Sequence, residues 1–313
     1  MRSKVLALAA LGVIGVMAAG CGGSDSSAGT GDNAVGGAIS VDGSSTVGPF
    51  VTIAAEDFKT SGASTQITVG ISGTGGGFER FCKGETDISN ASRAIKDEEK
   101  TACQKGGVEY AELQVANDGL SVVVNSANDW ATCLTTDQLK KIWEPGSKIN
   151  NWKDVDPKFP DQGMKLFGAG TDSGTFDFFT DKINGKGGAS RTDYQPTEDD
   201  NVTVEGVSGE KGGLGYFGLS YYEQNQGKLK VLQIDGGKGC VAPSTATVQD
   251  ATYTPLSRPL FVYVKQTSFA RPEVKAFLKY MLDNQEKISA EALFVPLTAA
   301  QAGAAETALA AIG

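Results

Sequence analysis

Three short stretches do most to limit what this chain can become. GSSTV (43–47), SGTGGG (72–77) and TDSGT (171–175) each join a short apolar run to a segment with helical spacing. Ile39 and Val41 alternate before the first, and Ile67, Val69 and Ile71 before the second, as side chains do along a strand. Behind the first, Val47, Phe50, Val51, Ala54 and Phe58 recur at helical intervals until Gly62. Behind the second come Phe78 and Phe81, and behind the third the aromatic run FDFF. Strands alternating with helices predict an α/β fold with largely parallel sheets. The three turns then lie at the carboxyl ends of strands, where such sheets take ligands.

Their composition points to the ligand. The first turn of a helix has four backbone N–H groups without intrahelical partners, and the helix dipole adds about half a positive charge there. Glycine lets the backbone approach a ligand closely, and Ser or Thr adds a hydroxyl donor. Three such cups suit an anion. NASRAI sets Arg93 just past the brief strand in TDIS, and a guanidinium fork matches a tetrahedral oxyanion.

The rest of the chain narrows the setting. Arg2 and Lys4 precede an apolar run from Val5 to Met17 that ends in AAGC, too short for a membrane span. This pattern predicts a bacterial lipoprotein signal over residues 1–20, with Cys21 as the lipidated residue. Residues 22–37, rich in Gly and Ser, read as a tether reaching about 20–25 Å. Cys82, Cys103, Cys133 and Cys240 remain, an even number that suits an oxidising compartment. Three pairings are possible; Cys82–Cys103 closes a short loop and is preferred, which leaves Cys133 with Cys240. The chain has no His and no CxxC, so a metal site or a His-based triad is not expected, nor is any cofactor. A net charge of −9 argues against nucleic acid as a partner. YAELQVANDGLSVVVNSAND predicts two strands, the second buried at Val122–Val124. TTDQLKKIW predicts a helix capped by Thr135 or Thr136, and RPEVKAFLKYMLDNQEKISA a terminal helix.

The stretches DGSSTVGPF, SGTGGGFERFCKGETDISNASR, GTDSGTFDFF, GGLGYFGLSYY and LSRPLFVYVK together resemble the PstS-like phosphate-binding components of bacterial ABC transporters, over nearly all of the mature chain. The resemblance implies two α/β lobes of the type II periplasmic-binding-protein kind, joined by crossing strands, with the anion in the cleft between them. Lobe I would comprise residues 38–117 and 254–313, and lobe II residues 118–253. A membrane permease and its ATPase would take the ligand onward from a monomeric, lipid-anchored receptor. Phosphate would meet Ser45, Thr46 and the Val47 amide in the first turn, Thr74 with Ser72 in the second, and Ser173, Gly174 and Thr175 in the third. Well-known members have an Arg four residues before the third-loop Ser, where this chain has Ala169. They have an acidic residue where this chain has Arg93. Arg93 is therefore expected to be the counter-ion. Phosphate near neutral pH carries a proton and sulfate does not, so selectivity needs an acceptor. Asp118 is the first candidate, Asp172 the second and Asp42 the third.

Other readings are weaker. Gly213-x-Gly215-x-x-Gly218 matches a dinucleotide fingerprint in form, but no buried strand precedes it. The acid pairs Glu98–Glu99 and Asp199–Asp200 read as solvated loops, which disfavours a two-carboxylate hydrolase. Sulfate, molybdate or tungstate remains the alternative ligand class.

Overall fold

The structure is a computed structural model and describes residues 36–171, 173–197 and 199–312. The chain runs through β1 (Gly36–Gly43), α1 (Gly48–Thr60), β2 (Ser64–Ile71), α2 (Gly73–Cys82), β3 (Ile88–Ala91), α3 (Asp97–Lys105) and the long β4 (Tyr110–Asn125). It continues with β5 (Cys133–Thr135), α4 (Thr136–Trp143), α5 (Trp152–Val155), β6 (Lys165–Ala169), α6 (Gly174–Asn184), β7 (Gln195–Thr197), α7 (Asp200–Gly209) and β8 (Gly213–Gly218). Then come α8 (Leu219–Gln224), β9 (Leu229–Val231), β10 (Gln233–Asp235), β11 (Cys240–Val241) and α9 (Thr245–Gln249). The chain closes with β12 (Ser257–Lys265), α10 (Gln266–Phe269), α11 (Pro272–Asp283), α12 (Gln285–Glu291) and α13 (Ala299–Ala310).

Two apolar cores define two lobes. In the first, α1 buries Phe50, Val51, Ala54 and Phe58, the stripe its spacing predicts, against Ile39, Val41, Phe277 and Met281. In the second, Trp143 packs edge-on to Phe179 and Tyr216, with Trp152 and Leu134 nearby. One strand serves both. The main sheet runs β2-β1-β3-β12-β4-β8-β6-β7. Along it, β4 pairs with β12 over Tyr110–Gly119 and with β8 over Leu120–Val124.

This corrects two expectations. Residues 110–125 form one strand, not two. Gly119 permits the passage, because a Cβ there would lie 2.5 Å from Val248 Cγ2 on α9. The sheet is also mixed: β1–β2, β1–β3, β6–β7 and β6–β8 are parallel, while β12 and β4 run against their neighbours. Crossing from one lobe to the other and returning needs opposed strands.

The C-terminal region also differs. The expected single helix breaks at Asn284, whose side-chain amide donates to the Tyr280 carbonyl at 2.8 Å and competes with the helical ladder. α13 follows, and Val295 between the helices enters the second lobe's core although α12 and α13 pack in the first. The disulfides are Cys82–Cys103, joining α2 to α3, and Cys133–Cys240, joining β5 to β11. Gly213–Gly218 is a strand whose motif glycines lie in the sheet, with α7 before it. Glu99 and Asp200 are helical, so those acids are not in loops.

Candidate functional site

The site is assembled at the crossing. Asp118 on β4 and Arg258 on β12 are directly opposed in register. Arg258 Nε donates to Asp118 Oδ2 at 3.0 Å, and Arg258 Nη2 lies 3.0 Å from the same oxygen. Their side chains are only 12% and 8% exposed. A buried charge requires a partner, and here each supplies the other's. The Arg258 guanidinium also lies over the Phe178 ring of α6, 3.8 Å from its centroid. Burial pulls Arg258 below its ordinary value while Asp118 opposes the shift; an arginine so placed stays charged.

Arg258 reaches the first turn as well. Its Nη2 donates to Thr46 Oγ1 at 3.1 Å. Thr46 in turn abuts the start of α6: a Cβ on Gly174 would sit 2.3 Å from Thr46 Oγ1. The first and third turns, one from each lobe, thus meet beside the crossing cation. Only glycine at 174 allows that approach.

The second turn lies across a cleft of about 770 Å³. Thr74, Ser92 and Arg93 line one wall, Asp177, Phe178 and Asp181 the other, and Ser257 and Arg258 the floor. Thr74 Oγ1 accepts from the Ser92 amide at 3.2 Å and lies 3.1 Å from its hydroxyl. Arg93 is held bidentate by Glu99, at 2.8 and 2.7 Å, so its charge is already balanced. Burial pushes the Asp177 carboxyl up, with Arg258 opposing.

The remaining candidates divide. Ser45 is half-buried in the first turn. Ser44, not Ser45, accepts from the amides of Thr46 and Val47, at 3.2 and 3.4 Å. Val47 is the buried N-cap of α1. Ser72 is the N-cap of α2 but makes no capping bond, and its hydroxyl lies over Gly76. Ser173 caps α6 by accepting from the Thr175 amide at 3.1 Å. Ala169 is buried at the end of β6, so no cation occupies that position. Asp42 is committed to Arg80 and to the Gly43 amide. Asp172 and Cys21 lie outside the described residues.

Sequence reasoning missed Arg258, Phe178 and Ser92. The signal for Arg258 was a lone cation opening the apolar run PLFVYV, which as a buried strand would demand a partner. No metal-binding cluster of His, Cys, Asp or Glu occurs among the described residues.

Known proteins share this architecture. A profile of the PBP superfamily domain matches residues 28–285. Protein SphX of Synechococcus elongatus is 47% identical over 83% of this chain and 78% of its own. Phosphate-binding protein PstS of Staphylococcus saprophyticus is 40% identical over 88% of this chain and 84% of its own. The crystal structure of a possible phosphate binding protein from Planctomyces limnophilus superposes with a TM-score of 0.85 at 44% identity, covering 89% of this chain and 99% of that one. With its two lobes, its crossing strands and these relatives, the chain belongs to the PBP superfamily and, within it, to the PstS-like phosphate-binding proteins.

Proposed function

We propose that this protein binds inorganic phosphate between its lobes, outside the cytoplasm, and delivers it to an ABC permease. The observation that carries this reading is Arg258, a desolvated guanidinium at the crossing that contacts the first turn directly and stacks on the helix of the third. Thr46, bonded to Arg258, would meet the anion together with the hydroxyls of Thr74 and Ser173, and Ser45, Ser72, Val47, Gly174 and Thr175 would complete the three helix starts. Neutral dipoles and paired charges supply the attraction, which suits an acidic protein whose overall field repels anions. Arg93 provides a second cation from the wall of lobe I. Both Arg258 contacts fall on Asp118 Oδ2, and Asp118 Oδ1 would accept the proton that phosphate carries and sulfate lacks. The chain acts as a receptor and not as an enzyme. Its two disulfides suit an oxidising compartment. A lipid on Cys21 would hold the monomer at the membrane surface, since no described helix is long and apolar enough to cross it.

Calorimetric titration tests the reading. One phosphate should bind per chain, with sulfate much weaker. Equal affinity for the two would favour a general oxyanion receptor. Absence of heat together with an unchanged melting temperature would refute the proposal. Mass spectrometry of membrane-extracted protein tests the anchor by the presence of acyl chains on Cys21.

A further inference from the structure

The clamp on Arg93 has a covalent support behind it. Packing alone places α3 poorly: among its described residues, Cys103 alone is buried. A helix of nine residues keeps its place by tertiary contacts and not by propensity. In α3 those contacts come from Glu99 and Cys103, which are one turn apart and share a face. In α2 the corresponding residues are Phe78 and Cys82, also one turn apart.

These residues join the two helices by two rungs. One rung is the Cys82–Cys103 bond, with both cysteines buried. The other is ionic. The Arg93 guanidinium lies 5.7 Å from the Phe78 ring centroid on the α2 side and donates to both Glu99 oxygens on the α3 side. The rungs touch, since Cys82 Sγ lies 3.5 Å from the Glu99 carbonyl oxygen. The loop that carries Arg93 has supports of its own outside α3. The Ser92 amide donates to Thr74 Oγ1 at 3.2 Å, and the Ile95 amide donates to the Tyr263 hydroxyl of β12 at 2.9 Å. Loosening α3 therefore frees Glu99 and leaves the base of Arg93 in place.

We infer that the Cys82–Cys103 disulfide is a positioning element of the anion site, which keeps Glu99 on Arg93 and so holds phosphate affinity below what a free Arg93 would give. Arg93 lines the cleft beside Thr74 and Ser92. With its fork occupied by Glu99, it presents an anion with a charge already balanced. Without the bond, α3 loses its covalent tie to α2. The ion pair alone must then offset the entropy of ordering the helix, and Arg93 is left unpaired for part of the time. Affinity thus depends on a bond that no anion touches. The second disulfide supplies the contrast within the same chain: Cys133–Cys240 joins β5 to β11, and neither strand lines the cleft. The affinity side of this inference rests on the phosphate reading; the exposure of Arg93 does not.

The test is Cys82→Ala combined with Cys103→Ala in the full chain. Calorimetry at low salt should show phosphate bound about 2- to 5-fold more tightly than by wild type, with the gain gone at about 1 M salt. Added to Glu99→Gln, the same pair should give no further gain, because both changes release one arginine. Without phosphate present, Arg93 should react faster with phenylglyoxal, as followed by peptide mass spectrometry. Cys133→Ala combined with Cys240→Ala should leave that rate unchanged. If the Ala pair does not fold, Cys82→Val with Cys103→Val fills more of the space; failure of both would assign the bond to folding and overturn the inference. A folded variant would also overturn it if its Arg93 reacts at the wild-type rate, if its affinity is unchanged or lower, or if its gain adds to that of Glu99→Gln. Wild-type protein that ignores phosphate while Arg93 still reacts faster in the variant would instead refute the ligand and retain the clamp.

Discussion

Two arginines line the same cleft, each paired with a carboxylate, and the two pairs differ in almost every physical respect. Arg93 and Glu99 are six residues apart, belong to one lobe, and have side chains 34% and 15% exposed. Arg258 and Asp118 are 140 residues apart, lie on the crossing strands, and are nearly dehydrated. The rim pair is screened by water and salt and acts as a local clamp. The crossing pair acts in a low dielectric and reaches both lobes, through Thr46 on one side and Phe178 on the other. The same chemistry yields a solvent-screened clamp at the rim and a buried pair at the centre.

The comparison is broken most forcefully at Arg258. Arg258→Ala should lower phosphate affinity more than 100-fold by calorimetry, on the order of 3 kcal/mol. It should also destabilise the fold by about 3–5 kcal/mol in denaturant, because Asp118 is left as an unpaired buried charge. Arg258→Lys keeps the charge but loses the fork, and should fall between. Wild-type affinity in Arg258→Ala would return the central role to Arg93. Arg93→Ala should weaken binding about 10-fold, roughly 1.4 kcal/mol, with stability changed by less than about 1 kcal/mol. Glu99→Gln sharpens the contrast in the other direction: by releasing Arg93 it should tighten binding a few-fold at low salt, and the gain should vanish at about 1 M salt.

The smallest effect is one of pH. Burial alone would raise the Glu99 carboxyl, but the Arg93 guanidinium and the Lys96 amide outweigh it and hold Glu99 below its ordinary value. A carboxylate depressed in the folded state contributes stability above its unfolded pKa of about 4.3 and loses it as pH falls through the folded value. Urea unfolding below about pH 4 should therefore show wild type losing slightly more stability than Glu99→Gln. Equal losses would mean that the rim pair adds nothing to the fold.

Much of the fold was legible because its signals are local. The stripe Phe50, Val51, Ala54 and Phe58 marks α1, and Thr135, one of the two expected caps, closes α4 with a capping box shared with Gln138. The helix break at Asn284 and the added α13 were missed: a polar helix end and an alanine-rich segment carry little periodic contrast. The fusion of two expected strands into β4 was hidden because Asn117-Asp118-Gly119 has the composition of a turn. Only partners on both edges keep it extended.

The site divides along the same line. By itself the sequence determined that three helix starts bearing hydroxyls and glycines follow strands, because capping and turn chemistry act over a few neighbouring residues. Only the tertiary structure decided which cation is buried at the crossing. Arg93 announces itself beside a recognisable turn, yet Glu99, one turn into α3, already balances it. Arg258 acquires its role from a strand register that brings it opposite Asp118 across 140 residues, and the energy of a buried charge depends on that distant partner and on the water it has lost.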